Sequence, residues 1–170
     1  MNNKAIFFLF LSSLFCNAES FKSLSVLEFK EAIALSQNKK AFLENYLEEI
    51  NQLDSEVNSI IATYDSSMMY KSYVYGRNKE WQGVPIIIKD NIDSRGLPNT
   101  AGSLSMLDNF PRRDAHLVSR LKKAGFLVVG KANLSEWANF RGRNSVSGWS
   151  SHGGQTRNPY DLDYNPCGSS

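Results

Sequence analysis

Cysteine, histidine and runs of like charge are scarce in this chain, and each scarcity removes a class of protein. Of the two cysteines, Cys16 falls in a leader expected to be removed, so Cys167 alone remains and no internal disulfide is expected. His116 and His152 have neither cysteines nor paired acids beside them, which leaves no zinc-ligand spacing. Nineteen Lys and Arg against seventeen Asp and Glu give a formal charge of +2 that is scattered rather than striped, so no nucleic-acid partner is expected. G-x-S-x-G and phosphate-loop motifs are missing, as are internal repeats and low-complexity linkers. Neither a cofactor nor a metal is expected.

What is present begins with Lys4 and an apolar run over residues 5–15, broken only by Ser12 and Ser13, before Cys16-Asn17-Ala18. Small residues at 16 and 18 stand where a signal peptidase reads, so residues 1–18 are expected to be a signal peptide and the chain exported, periplasmic or secreted. The alternative is a buried N-terminal helix. The run is shorter than the roughly 20 residues a membrane-spanning helix needs, so no stable membrane anchor is expected. Residues 19–170 then remain as the mature chain, long enough by size alone for a core.

Residues 19–80 read as a mainly helical layer. Ser25-Val26-Leu27-Glu28 has the form of a capping box, and a second helix over 41–53 carries Phe42, Leu43, Tyr46, Leu47, Ile50 and Leu53 on one stripe. A strand over 57–64 and a helix over 65–79 follow. From Gly83, within 81–170, short fully apolar strands alternate with helices, the pattern of a buried sheet in an α/β domain. Strands are predicted over 84–88 and 126–129, with a helix between them capped by Asp114 and stopped by Gly125. Asn133-Leu134-Ser135-Glu136 has the form of a short helix start, and Gly, Ser, Asn and Arg dominate after Phe140. The fold class is α/β: N-terminal helices, then part of a mixed sheet flanked by helices.

Two serine–lysine combinations could carry chemistry. A serine hydroxyl needs a base within hydrogen-bond reach, and a lysine serves only if burial holds its amine neutral. Ser119-Arg120-Leu121-Lys122 fits the S-x-x-K of penicillin-binding enzymes, without their K-T-G or S-D-N partners. Lys89 closes the apolar run Gly83-Val84-Pro85-Ile86-Ile87-Ile88, at the strand end where open α/β sheets place ligands. Asp90-Asn91 follow it, then Thr100-Ala101-Gly102-Ser103, then Gly130-Lys131-Ala132-Asn133-Leu134-Ser135-Glu136-Trp137-Ala138, and finally Pro166-Cys167-Gly168-Ser169-Ser170.

Over residues 81–170 these ordered blocks resemble the amidase signature family, whose motifs they follow with cysteine in place of one glycine at position 167. The resemblance implies an incomplete amidase signature fold, with residues 19–170 the N-terminal portion of a single amidase domain, and a Ser-Ser-Lys triad. Lys89 would be its base and acid. Ser169 would be its bridging serine, on a cis peptide bond, and Cys167 would pack or touch substrate. The nucleophile and the oxyanion donors would lie after Ser170, so the chain alone would be inactive. The run Ser147-Gly148-Trp149-Ser150, with Gly153 to Tyr160 and Asn165 to Gly168, looks most like the bacterial peptide amidase branch. That implies hydrolysis of a linear carboxamide, a peptide C-terminal amide first, to carboxylate and ammonia through an acyl-serine intermediate. The partner is then a small-molecule or peptide amide. The signal peptide disfavours the branch that acts on charged transfer RNA in the cytoplasm. The rivals are a non-catalytic truncated remnant or binding protein, and a penicillin-binding-type enzyme using Ser119 and Lys122.

Overall fold

Ser25 opens the first helix as its sequence predicts. Its side chain accepts from the Glu28 N–H, and the Glu28 carboxylate accepts from the Ser25 N–H at 2.7 Å, so two donors without helical partners are satisfied reciprocally. In a computed structural model the described residues are 20–140 and 144–169. The expected signal peptide therefore lies outside the described residues. Helix α1 (Val26–Leu35) buries Phe29, Ala32 and Ile33. Helix α2 (Lys39–Val57) starts from Asn38, whose side chain accepts from the Ala41 N–H, and ends at Asn58 in the left-handed region.

The predicted strand at 57–64 is shorter than expected, with β1 at Ile60–Thr63. The cause is Asp54, whose carboxylate accepts from the backbone N–H groups of Ser59 and Ile60 and so ties the exit of α2 into a turn. Helix α3 (Ser66–Tyr75) is capped by Asp65 and stops at Gly76, short of the expected end at 79. Strand β2 (Pro85–Lys89), helix α4 (His116–Ala124) and strand β3 (Leu127–Ala132) follow. Gly125 ends α4 with a φ of 104°, as the sequence requires. Asp114 does not cap α4. Its carboxylate turns instead to the Lys122 ammonium, 2.9 Å away, and to the Arg95 N–H, while Ala115 takes the cap position without a side-chain bond.

The sheet runs β1-β3-β2, with β3 central, antiparallel to β1 and parallel to β2. It is the mixed sheet expected. Gly130 is needed at its centre, because a Cβ there would sit 2.3 Å from the Ala62 carbonyl oxygen. Ile88, Val118, Leu127, Val128 and Val129 join Phe29, Ile33, Leu43, Met69 and Tyr73 in one apolar core. The helical layer and the sheet share that core, so the C-terminal end of β2 is held on a rigid base. Beyond β3 regular structure is slight: a 3-10 turn at Glu136–Asn139 and the two-residue strands β4 (Trp149–Ser150) and β5 (Gly154–Gln155). The helix expected from Asn133 does not form there, since Trp137 and Ala138 both take left-handed angles.

Candidate active site

Lys89 is the last residue of β2, and its amine nitrogen lies 2.6 Å from Ser169 Oγ, across 80 residues of sequence. Burial lowers the Lys89 amine below the ordinary lysine value, so the neutral form is more accessible than on a solvated lysine. The two residues singled out from the sequence are thus in direct hydrogen-bond contact. Their approach depends on the loop that presents Ser169.

That loop is fastened by two serines. Ser135 Oγ donates to the Gly168 carbonyl at 3.0 Å and accepts from the Gly148 N–H at 2.8 Å. Ser147 Oγ also donates to the Gly168 carbonyl and accepts from the Gly168 N–H at 2.8 Å. Ser135, which stands in the Gly130–Ala138 block, is fully buried. Cys167 precedes Gly168 with an exposed side chain and a φ of 58°. Left-handed angles suit glycine, which explains why a motif written with glycine bends here. No cis peptide bond occurs among the described residues, so the cis linkage implied before Ser169 is absent. Such a bond costs about 3–4 kcal/mol and persists only where the surrounding chain enforces it.

Beneath β2 lies a second polar group. Lys131 and Asp90 are both fully buried, with Lys131 Nζ 3.3 Å from Asp90 Oδ1. Desolvation lowers the Lys131 amine, and the Asp90 charge opposes that shift. Asp90 Oδ2 accepts from the Thr100 and Gly102 N–H groups and the Thr100 hydroxyl. Thr100 Oγ1 also contacts His152 Nδ1 at 3.1 Å. Asn133, buried, ties the same loops together: its Oδ1 accepts from Ser150 Oγ and its Nδ2 donates to Thr156 Oγ1. Gly153 must lack a side chain, since a Cβ would meet Asn133 Oδ1 at 2.6 Å.

The rival pair Ser119 and Lys122 does not come together in the same way. Lys122 Nζ is held by both oxygens of Asp114 and sits 5.9 Å above the Tyr64 ring. No group of three or more metal-ligating side chains occurs among the described residues. A hollow of about 440 Å³ lined by Val146, Gln155, Arg157, Leu162, Asp163, Tyr164 and Asn165 opens beside Ser147, and neither Lys89 nor Ser169 lines it.

A family model described as Amidase matches residues 41–170. The chain belongs to the amidase signature family. A probable amidase of Arabidopsis thaliana is 38% identical over 141 residues, covering 77% of this chain and 27% of that protein. A glutamyl-tRNA(Gln) amidotransferase component of Methanosarcina barkeri is 37% identical over 151 residues, covering 88% of this chain and 30% of its own length. Among solved structures, the peptide amidase of Stenotrophomonas maltophilia superposes with a TM-score of 0.73 at 37% identity, covering 86% of this chain and 32% of that one. The chain therefore spans about a third or less of the length of the relatives it matches.

Proposed function

We propose that this chain supplies the base and the bridging serine of an amidase that hydrolyses a linear carboxamide to a carboxylate and ammonia. The reading is carried by one observation, the 2.6 Å approach of Lys89 Nζ to Ser169 Oγ. Burial lowers that amine below the ordinary lysine value, so its neutral form is more accessible than on a solvated lysine. A neutral amine can accept the Ser169 proton while Ser169 Oγ takes the proton of a nucleophilic serine placed after Ser170. The freed oxygen adds to the amide carbon, and backbone N–H donors from the same later segment stabilise the charge on the tetrahedral oxygen. Collapse breaks the C–N bond as the leaving nitrogen takes the proton back along the relay, and ammonia departs. Water adds to the resulting acyl-serine by the same route, which releases the carboxylate and restores the serine.

A peptide C-terminal amide is the substrate we favour. The peptide amidase neighbour supports it. The leader sequence supports an exported enzyme working outside the cytoplasm. The test is kinetic. In the complete enzyme, Lys89→Ala and Ser169→Ala should each lower kcat/KM on a peptide amide by about 10²–10⁴, the range of a general acid–base contribution. Because members of one relay act as a unit, the double variant should be little worse than the poorer single one. Fully additive losses, or a Ser169→Ala enzyme with near-normal turnover, would sink the relay.

A further inference from the structure

The Lys89–Ser169 relay leaves the most heavily bonded carboxylate near it unused. Asp90 follows Lys89 directly, is 1% exposed and cannot touch a substrate. The strand register explains where it goes: Ile88 pairs with Lys131 and Lys89 with Ala132, so alternation along β2 places Asp90 and Lys131 on one face and Lys89 on the other. Both main-chain groups of Asp90 are engaged, its N–H donating to the Ala132 carbonyl and its carbonyl accepting from the Ala101 N–H, each at 3.0 Å. Oδ2 gathers the Thr100 N–H, the Thr100 hydroxyl and the Gly102 N–H. Lys131 supplies the counter-charge at Oδ1 and also donates to the Ile92 carbonyl at 2.9 Å and to Asn99 Oδ1 at 3.3 Å.

Thr100 extends this cluster to the other arm of the site. Its hydroxyl donates to Asp90 and accepts from the Gly102 N–H, so a hydroxyl with one proton and two lone pairs has one acceptor place left. That place faces His152 Nδ1, 3.1 Å away. The His152 backbone N–H donates to the Gly102 carbonyl at 2.9 Å. His152 lies in the stretch that begins at Ser147 and Gly148, the residues that bind Gly168 and Ser135. One bonded path therefore runs from the strand end under Lys89 to the loop that presents Ser169.

We propose that Asp90 is a positioning residue for Lys89: with Lys131 cancelling its charge, its carboxylate locks residues 99–102 under the end of β2. The lock fixes the direction in which Lys89 leaves the strand, toward Ser169. The proposal rests on the reading of Lys89 as the base. The other ionisable groups in reach are Asp93, whose charge acts on Lys131, and His152, joined through Thr100.

The test follows acetylation of Lys89 against pH in the whole chain of 170 residues, read by mass spectrometry, with exposed Lys40 as internal standard. Asp90→Asn strips Lys131 of its counter-charge and risks unfolding, so the deciding variant is the isosteric Thr100→Val, with Thr100→Ser as the rescue. Wild type and Thr100→Ser should label Lys89 with a midpoint below that of Lys40. Thr100→Val should melt cooperatively while its Lys89 midpoint moves up toward that of Lys40, each pH unit of movement meaning about tenfold less neutral amine below both midpoints. A folded Thr100→Val with an unchanged midpoint would overturn the proposal and leave Lys89 as the base. Loss of cooperative melting in Thr100→Val with Thr100→Ser intact would also overturn it, since the hydroxyl would then serve the fold and not the lysine. A wild-type Lys89 that labels like Lys40 would overturn the reading of the base itself, and this proposal with it.

Discussion

At the scale of single residues, Cys167 is a local misfit in the loop that presents Ser169. Cys167 holds a φ of 58° with an exposed side chain, so it bears the cost of a left-handed L-residue without any burial in return. Cys167→Gly should stabilise the chain by about 0.5–1 kcal/mol, the balance of relieved strain against the extra freedom of glycine when unfolded. A thermal melt compared with wild type checks this, and a lower melting temperature would show that the thiol makes a contact worth more than the strain. The same loop shows what a sequence can and cannot convey. Lys89 and Ser169 are legible because each stands in a block of fixed spacing. Ser135 and Ser147 also stand in such blocks, but their hold on Gly168 from 33 and 21 residues away is not legible, because a serine bonding a distant carbonyl leaves no periodic trace. Asp90, Lys131 and Thr100 stand inside recognisable motifs, yet only their three-dimensional meeting shows that they form one cluster.

Among the elements, local signals worked where the cap and the helix were the whole story, as with Ser25 and Gly125. They failed where a side chain found a better partner elsewhere. Asp114 chose Lys122 over its helix, and Asn133 became the bonding centre of the 148–156 stretch instead of a cap. The 3-10 turn at Phe21–Ser23 is a further element no pattern announced. Glu49 on α2 anchors it, accepting from Ser20 Oγ, Phe21 N–H and Lys22 N–H, while Phe21 packs edge-on against Phe42 and Tyr46. Burial alone would raise the Glu49 carboxyl, but these three bonds outweigh it and hold the group below its ordinary value. A carboxyl depressed in the fold adds stability above its unfolded value, near 4.3, and that part is lost as pH falls through the lower folded value. The Phe21 and Lys22 amide signals in NMR spectra should therefore shift together with acid below about pH 4.3. Glu49→Gln should remove that step, and an unchanged acid transition in the variant would assign it to another group.

For the whole molecule, the lysine that the proposed chemistry needs is a burden on the fold. Because burial lowers the Lys89 amine, the unfolded chain binds more protons between the folded value and the ordinary one near 10.4, so this residue makes stability rise with pH across that window. Lys89→Met should raise the melting temperature at neutral pH, by an amount that shrinks as pH approaches about 10.4. Calorimetry at pH 7 and pH 10 tests this, and an equal gain at both would trace the effect to packing. A related division runs through the chain as a whole. Residues 20–132 share one core and one sheet, whereas the stretch after β3 is fastened mainly by side chains meeting backbone: Asn58 to the Gly153 and Gln155 carbonyls, Thr156 to the Asn58 carbonyl, Ser135 to Gly168. Fastenings of that kind can release together while the sheet stays intact, with an opening free energy well below that of global unfolding. The fraction of time Lys89 faces Ser169 would then follow this local equilibrium, so a change that only strengthens the core would raise the melting temperature and leave the site no better assembled.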